Sequence, residues 1–238
     1  MTDSADPSRI LVVTAHPDDV DFGAAGSIAS WTSQGIEVSY CIVTDGSAGS
    51  AKRGVDTRAL AEIRQVEQRN AAAIVGVREV HFLGYPDGSL EVSLQLRRDI
   101  ARVIRIVRPE RVVCQSPERS WERIHASHPD HLAAGEATVQ AVYPDARNPY
   151  AHPELLAAGL EPHTVDEVWL MASPHSTHAV DITATFGRKI AALECHQTQL
   201  AGSEHLEEMI RAWGSSTAAA MGLPEGQLAE AFQVVDTR

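Results

Sequence analysis

Along the chain, short runs dominated by Val, Ile and Leu alternate with longer stretches whose apolar residues return every three or four positions. The first pattern reads as buried strand and the second as amphipathic helix. Five runs, "RILVVTA", "EVSYCIVT", "EVHFLG", "RVVCQS" and "EVWLMAS", are predicted strands. The predicted helices are "FGAAGSIASWTSQG", ended by Gly35, "TRALAEIRQVEQRNAAAIVG", "LQLRRDIARVIRIVRP", stopped by Pro109, "HLAAGEATVQAVY" and "ATFGRKIAALECHQT". In the second helix Leu60, Ile63, Val66 and Ile74 are spaced to share an inward face. The strands are apolar without alternation, so both faces of the sheet must be covered. That predicts an α/β fold, a Rossmann-like three-layer αβα sandwich with a mainly parallel sheet and right-handed crossovers. Residues 144–163, "PDARNPYAHPELLAAGLEPH", break the rhythm and are expected to be a loop or insertion near the sheet edge, at the rim of the site. No linker-like tract interrupts residues 1–238, which read as one domain.

In an open parallel sheet ligands bind beyond the carboxyl ends of the strands, where the loops converge. The unusual residues of this chain fall at those ends: "AHPDD" after the first strand, "TDGSAGS" after the second, "GYPDGS" after the third and "SPERSWERIHASHPDH" after the fourth. The opposite connections, such as "SQGIE" and "VRPER", are ordinary turns.

Composition narrows the partners. With 32 acidic against 20 basic side chains the formal charge is −12, which repels nucleic-acid backbones and anionic lipid. The apolar content of 44% and charged content of 22% are those of a chain that folds by itself. No apolar run approaches the ~20 residues of a membrane span, and "MTDSADPSRI" lacks a signal pattern, so a cytoplasmic location is expected. Cys41, Cys114 and Cys195 stand in apolar runs at no metal-like spacing and read as buried free thiols. The eleven histidines are the unusual count, and several cluster between His125 and His131.

His16 and Asp19 flank a Pro-Asp pair, and "HPDH" adds His128, Asp130 and His131. Two histidines and a carboxylate facing one point hold zinc or iron(II) with positions left open for water and substrate, a catalytic arrangement rather than a closed structural one. Taken singly, these residues have plainer readings: Asp18 or Asp19 as a helix N-cap, His131 as a surface residue at a helix start. Two His-Pro-Asp tripeptides, each at a strand-to-helix transition on the same sheet edge, argue for the metal site. If Asp19 ligates, Asp18 is free to take the proton of a water whose pKa the metal has lowered toward ~7. His128 then stabilises the oxyanion or protonates the leaving group, with Asp130 setting its tautomer. Two other classes compete. An iron(II) oxygenase shares the two-His, one-carboxylate set but usually sits on an all-β barrel. A nucleotide-binding module needs a Gly-x-Gly-x-x-Gly loop after the first strand, which this chain lacks.

At these residues the chain resembles the LmbE-like, or PIG-L, family of metal-dependent N-deacetylases. The matching pieces are "AHPDD", "TDG", Arg58 and Glu62 in "RALAEIR", "LGYPDG", "HPDH" and "KIAALECHQTQ". The resemblance implies a zinc enzyme, or one using Fe2+ or another divalent metal, that removes an N-acyl group, chiefly acetyl, from an amino sugar such as an N-acetylglucosamine conjugate. Amidase action on glycosyl-thiol S-conjugates or antibiotic acyl amides is the alternative. It further implies His16, Asp19 and His131 as ligands, Asp18 as base, His128 as the electrostatic partner of the tetrahedral intermediate, Arg58 and Asp87 as contacts to sugar hydroxyls, and a homo-oligomer, trimer or hexamer. The chain departs from the family pattern at three places. Val20 stands where Glu is usual, with Asp21 next; Ala126 stands where a tyrosine is found, leaving His125 beside it as a substitute; and the late motif reads His196-Gln197-Thr198-Gln199, with His196 a candidate site or subunit-contact residue.

Overall fold

A computed structural model describes residues 7–200 and 202–238. Its sheet has seven strands: β1 (Arg9–Thr14), β2 (Glu37–Thr44), β3 (Glu79–Tyr85), β4 (Arg111–Gln115), β5 (Glu167–Met171), β6 (His178–Asp181) and β7 (Ala229–Asp236), in the order β3-β2-β1-β4-β5-β7-β6. The first five run parallel, and β7 enters antiparallel to both β5 and β6. The helices are α1 (Asp19–Ser33), α2 (Thr57–Ile74), α3 (Leu94–Val107), α4 (Pro129–Gln140), α5 (Pro153–Ala157), α6 (Phe186–Leu193), α7 (Gln197–Leu200) and α8 (Leu206–Ala220). The expected αβα sandwich with a mainly parallel sheet is the observed one.

The alternation of side chains along each strand explains the three layers. Leu11, Val13, Cys41, Val43, Val112, Cys114, Val168 and Leu170 point into one core with Leu96, Ile100, Ile104, Ala134 and Ala137 of α3 and α4. Ile10, Val12, Val38, Tyr40, Ile42, Val113, Trp169 and Met171 point into the other, with Ala24, Ala25, Ile28, Ala71 and Ala72 of α1 and α2. Every residue from Ile10 to Thr14 and from Val38 to Thr44 is buried, as the unbroken apolar runs predict, whereas β3 at the edge of the sheet is only partly covered.

Three expectations need correcting. In α2 only Leu60 of the proposed apolar set is buried; Ile63, Val66 and Ile74 are exposed, and the inward face carries Arg64, Glu67, Gln68, Ala71 and Ala72. Residues 144–163 do not reach the site rim. α4 runs from the carboxyl ends of the strands back to the amino ends, and the segment after it is tied down there by Arg105 of α3. This buried guanidinium donates to the carbonyls of Asp145 (3.0 Å), Ala146 (3.2 Å), Asn148 (2.9 Å), Ala151 (3.3 Å) and Leu160 (3.3 Å). His163 adds a contact to the Pro109 carbonyl (2.7 Å), just before β4 begins. Finally, Cys41 and Cys114 are buried but Cys195 is only partly so; all three are free. No helix among the described residues is long and apolar enough to cross a membrane. The residues "MTDSAD", part of the stretch read for a targeting signal, lie outside the described residues.

Candidate active site

Strands β1 and β4 are neighbours at the centre of the sheet, and the chains leaving their carboxyl ends meet. The Gln115 side chain at the end of β4 accepts a hydrogen bond from the Ala15 N–H at the end of β1 (2.9 Å), so the two loops start from a fixed point. His16, Asp18 and Asp19 come from the first loop, and His128, Asp130 and His131 from the second, where α4 begins.

His16 Nδ1, His131 Nε2 and the Asp19 carboxylate converge. His16 Nδ1 is 3.3 Å from His131 Nε2 and 3.2 Å from Asp19 Oδ2, and His131 Nε2 is 3.0 Å from Asp19 Oδ1. The outer side of each ring shows where the protons sit. His131 Nδ1 faces the Ala126 carbonyl at 3.3 Å, and His16 Nε2 faces Asp87 Oδ1 and Asp130 Oδ2, both at 3.1 Å. An N–H on each of those outer nitrogens satisfies the acceptors there and leaves the inner nitrogens, which face each other and a carboxylate, to hold either a proton or a cation. Three such donors repel unless a cation lies among them. A tetrahedral zinc with donors at about 2.0–2.1 Å sets neighbouring donors about 3.3 Å apart, the spacing found here. The donor set therefore fits a divalent ion. His128 extends the set, with a ring nitrogen within 4.8 Å of ones on His16 and His131.

The electrostatics point the same way. Burial would depress the His16 pKa, but Asp19 and Asp87 outweigh it and push it up to about 11. Burial opposes ionisation of Asp19, yet His131 and His16 hold its carboxyl far below the usual carboxylate range. The cluster demands positive charge.

Asp18 occupies the N-cap position of α1, but its side chain makes no capping bond, so the plain helix-cap reading fails for it. Its backbone is left-handed, φ 92° and ψ −30°, and its carboxylate turns toward Arg64 Nη2 (3.2 Å). Burial, together with the charge of Asp19, pushes its pKa up to about 7 against the opposing pull of Arg64. His128 caps α4, its Nδ1 accepting from the Asp130 N–H (3.1 Å). That bond places the proton on Nε2, and burial with the neighbouring His16 and His131 keeps the ring's pKa low. His128 is thus a neutral imidazole offering an N–H.

Several assigned roles change. The Asp130 carboxylate does not set the tautomer of His128; the Asp130 backbone N–H does. The carboxylate instead accepts from Gly88 N (2.8 Å) and Leu90 N (3.1 Å) and orients His16. Asp87 spends its carboxylate on His16 and the Ala48 N–H (3.0 Å), which also hold its pKa down despite burial, rather than on a free sugar-facing position. Arg58 is 89% exposed and pairs with Glu62 one turn away (3.4 Å), outside the site. His125 stands exposed in a single 3-10 turn, Ile124–Ser127, before α4. His196 is 0% exposed, so it touches neither substrate nor another subunit; its Nε2 binds Asp21 Oδ2 at 2.8 Å. Val20 is packed in the core, and the Asp21 carboxylate next to it is fully buried, bonded by Gln68 and His196.

Three site residues were missed. Arg64, 3% exposed, donates to Pro17 O (2.7 Å) and Gly46 O (2.8 Å), bonds Asp18 and lies 3.8 Å from Asp87. A side chain at Gly46, whose φ is +68°, would press on that guanidinium. Glu67 accepts from Thr198 N (2.8 Å) and Thr198 Oγ1 (2.6 Å), anchoring the His196-Gln197-Thr198-Gln199 segment. Gln68 bonds both Asp18 and Asp21. The available signal was the run Arg64-Gln-Val-Glu67-Gln68, whose polar residues sit where a sheet-covering helix should be apolar.

A family model described as PIG-L, GlcNAc-PI de-N-acetylase, matches residues 11–142. A diacetylchitobiose deacetylase of Thermococcus kodakarensis is 34% identical over 194 residues, covering 82% of this chain and 71% of the relative. A probable N-acetyl-alpha-D-glucosaminyl L-malate deacetylase 2 of Bacillus cereus is 30% identical over 198 residues, covering 80% and 83%. Among solved structures, the N,N'-diacetylchitobiose deacetylase of Pyrococcus horikoshii superposes with a TM-score of 0.89 at 27% identity, over 98% of this chain and 85% of that one.

Proposed function

Because the chain belongs to the PIG-L, or LmbE-like, family of deacetylases, we propose that it is a zinc-dependent hydrolase that removes an N-acetyl group from an amino sugar or its conjugate. The observation that carries this reading is the convergence of two inner histidine nitrogens and the Asp19 carboxylate beside a left-handed Asp18 whose own carboxyl is free of capping duty. The named substrates of the similar proteins, diacetylchitobiose and a GlcNAc-malate conjugate, support an acetamido sugar as substrate class.

In this reading His16, Asp19 and His131 hold the ion. When bound, it supplies Lewis acidity and lowers the pKa of water. Asp18, poised near neutrality, takes the proton of the water attacking the acetyl carbonyl carbon. His128 Nε2–H donates to the carbonyl oxygen as negative charge builds on it; a neutral donor does this without repelling the cation. Asp18 then gives its proton to the departing nitrogen as the C–N bond breaks, leaving the free amine and acetic acid, which loses its remaining proton to solvent as acetate. Arg64 fixes Asp18 and the two loop carbonyls, and Asp87 with Asp130 fixes His16, so the reacting groups are held before substrate arrives.

A cytoplasmic location fits the three free cysteines. A homo-oligomer is part of the same reading, supported by the solvent-facing Ile63, Val66 and Ile74 of α2; light scattering should return more than one chain per particle, and a monomer refutes it. The function is tested by mass spectrometry of a panel of N-acetylated amino sugars with zinc-loaded protein. Loss of one acetyl group, abolished by chelation and restored by zinc, is expected; no deacetylation of any member, or full activity without metal, overturns the reading.

A further inference from the structure

The left-handed backbone of Asp18 raises a question that the catalytic roles leave open: what holds a non-glycine residue in a conformation that L-amino acids avoid? At a helix N-cap, aspartate ordinarily adopts an extended conformation and folds its carboxylate back onto the N–H groups of the first turn. A carboxylate so used is spent. In the left-handed conformation of Asp18 the carboxylate points away from α1, and its Oδ2 lies 3.2 Å from Arg64.

The same rotation carries the Asp18 N–H toward α2, where it meets a single acceptor. Gln68 Oε1 lies 2.8 Å from Asp18 N, and Gln68 is 0% exposed. The acceptor is fully buried and the bond partly so, so loss of the acceptor takes from this N–H the partner that rewards the left-handed state. The amide cannot turn around. Its Nε2 donates to Asp21 Oδ2 at 2.9 Å, and the same oxygen accepts from His196 Nε2 at 2.8 Å. A flipped Gln68 would set an NH2 against the Asp18 N–H and a carbonyl oxygen against the Asp21 carboxylate, two repulsions in place of two bonds. His196 therefore fixes Asp21, Asp21 fixes the Gln68 amide, and the amide fixes the Asp18 backbone. The displaced carboxylate at position 21 has its purpose in this chain of contacts.

We propose that Gln68 is a positioning residue: its amide holds Asp18 in the left-handed conformation that keeps the Asp18 carboxyl out of the α1 cap and available to the reaction. The step from conformation to catalysis rests on Asp18 being the base of the proposed deacetylase; the step from Gln68 to conformation does not.

Two variants separate the acceptor from the rest of the side chain. Gln68→Met keeps the volume and removes the acceptor, whereas Gln68→Glu keeps an oxygen toward Asp18 and replaces the donor facing Asp21. Crystal structures of both are the first readout. Asp18 is expected to leave positive φ and cap α1 in Q68M, and to stay at positive φ in Q68E. Kinetics are the second. Q68M is expected to lose about 10- to 100-fold in kcat, the range that a misplaced reacting group costs, with KM within about twofold of wild type and metal per chain unchanged by elemental analysis. Q68E is expected to recover most of kcat even where it melts below Q68M, since turnover follows the conformation of Asp18 and not the melting temperature. Should Q68M not fold, Gln68→Leu makes the same comparison. Positive φ at Asp18 with wild-type kcat in the variant lacking the acceptor overturns the proposal, as does a Q68E enzyme as slow as Q68M. Failure of the wild type to deacetylate any sugar refutes the functional reading alone, because the φ of Asp18 in the two variants still decides the role of Gln68.

Discussion

Replacing Arg64 with Met tests whether the buried guanidinium both holds the loops and tunes the base. It donates to the Pro17 and Gly46 carbonyls and faces Asp18 at 3.2 Å and Asp87 at 3.8 Å, so its loss strands two carboxylates and two carbonyl oxygens in a nearly closed space. Breaking a buried ion pair from one side costs about 3–5 kcal/mol. Asp87 keeps its bonds to His16 and Ala48, and Asp18 can take up a proton, which favours the lower end, about 3 kcal/mol. The effect on the base can be worked separately. Two charges about 4 Å apart at an effective dielectric of about 20 interact by about 4 kcal/mol. If about a third survives relaxation of the surroundings, the Asp18 carboxyl rises by about one pKa unit. The base must be ionised to act, and its pKa is already raised to about 7 by burial and Asp19, so turnover is lost as pH falls through that value. A cation held by His16, Asp19 and His131 would lower it, which places the expected acid limb of kcat/KM at or below about 7 in the wild type; Arg64→Met should move the limb upward by about one unit. Arg64→Lys restores the charge but not the fork, so it should return the limb toward wild type while recovering only part of the stability. Kinetics from pH 5 to 9 with urea unfolding of the three proteins provide the assay. An acid limb that stays in place, or an Arg64→Met protein as stable as wild type, refutes the reasoning.

Other outcomes follow from the same geometry. Asp18→Asn should keep its metal and lose about 10²- to 10⁴-fold in turnover, the usual contribution of a general base, whereas Asp19→Ala should lose both; equal metal loss in the two, by elemental analysis, reverses the roles. Arg58→Ala should leave kcat/KM within about twofold of wild type, as for an exposed helical ion pair; a tenfold fall would return Arg58 to the site. Burial pushes the Cys41 and Cys114 thiols up to about 12. Native protein should therefore label first at the half-buried Cys195 with a thiol reagent, and labelling of Cys41 or Cys114 before unfolding contradicts the packing described.

How far the sequence could be read followed from where the information was local. The central strands showed themselves because both faces are covered, and His16 with Asp19, and His128 with His131, showed themselves because each group lies within one turn of chain. The carboxyl-terminal part of the sheet was less visible. β6 has four residues with exposed ends, β7 is half-buried and antiparallel, and α8 packs through Leu206, Ile210, Gly214 and Ala218, two of them too small to mark a periodic face. Arg58 came from the family resemblance and not from any local pattern, and α2 turns it to solvent. The apolar stripe of α2 faces outward too, because the helix presents Arg64, Glu67 and Gln68 inward instead. Asp130 was misjudged because its partner His16 lies 114 positions away, at a distance no local pattern reports.

The Arg105 cage has a consequence for how this scaffold can diversify. It fastens the 144–163 segment, α5 included, against α3 toward the amino ends of the strands, on the side of the sheet opposite the His16 and His131 loops. Choice among substrates is then expected to fall to the mostly exposed segments that leave the carboxyl ends of β2 and β4, residues 47–56 and 117–125. Surface segments of this kind tolerate changes in length and sequence, so grafting them should alter substrate preference while the anchored end keeps the architecture.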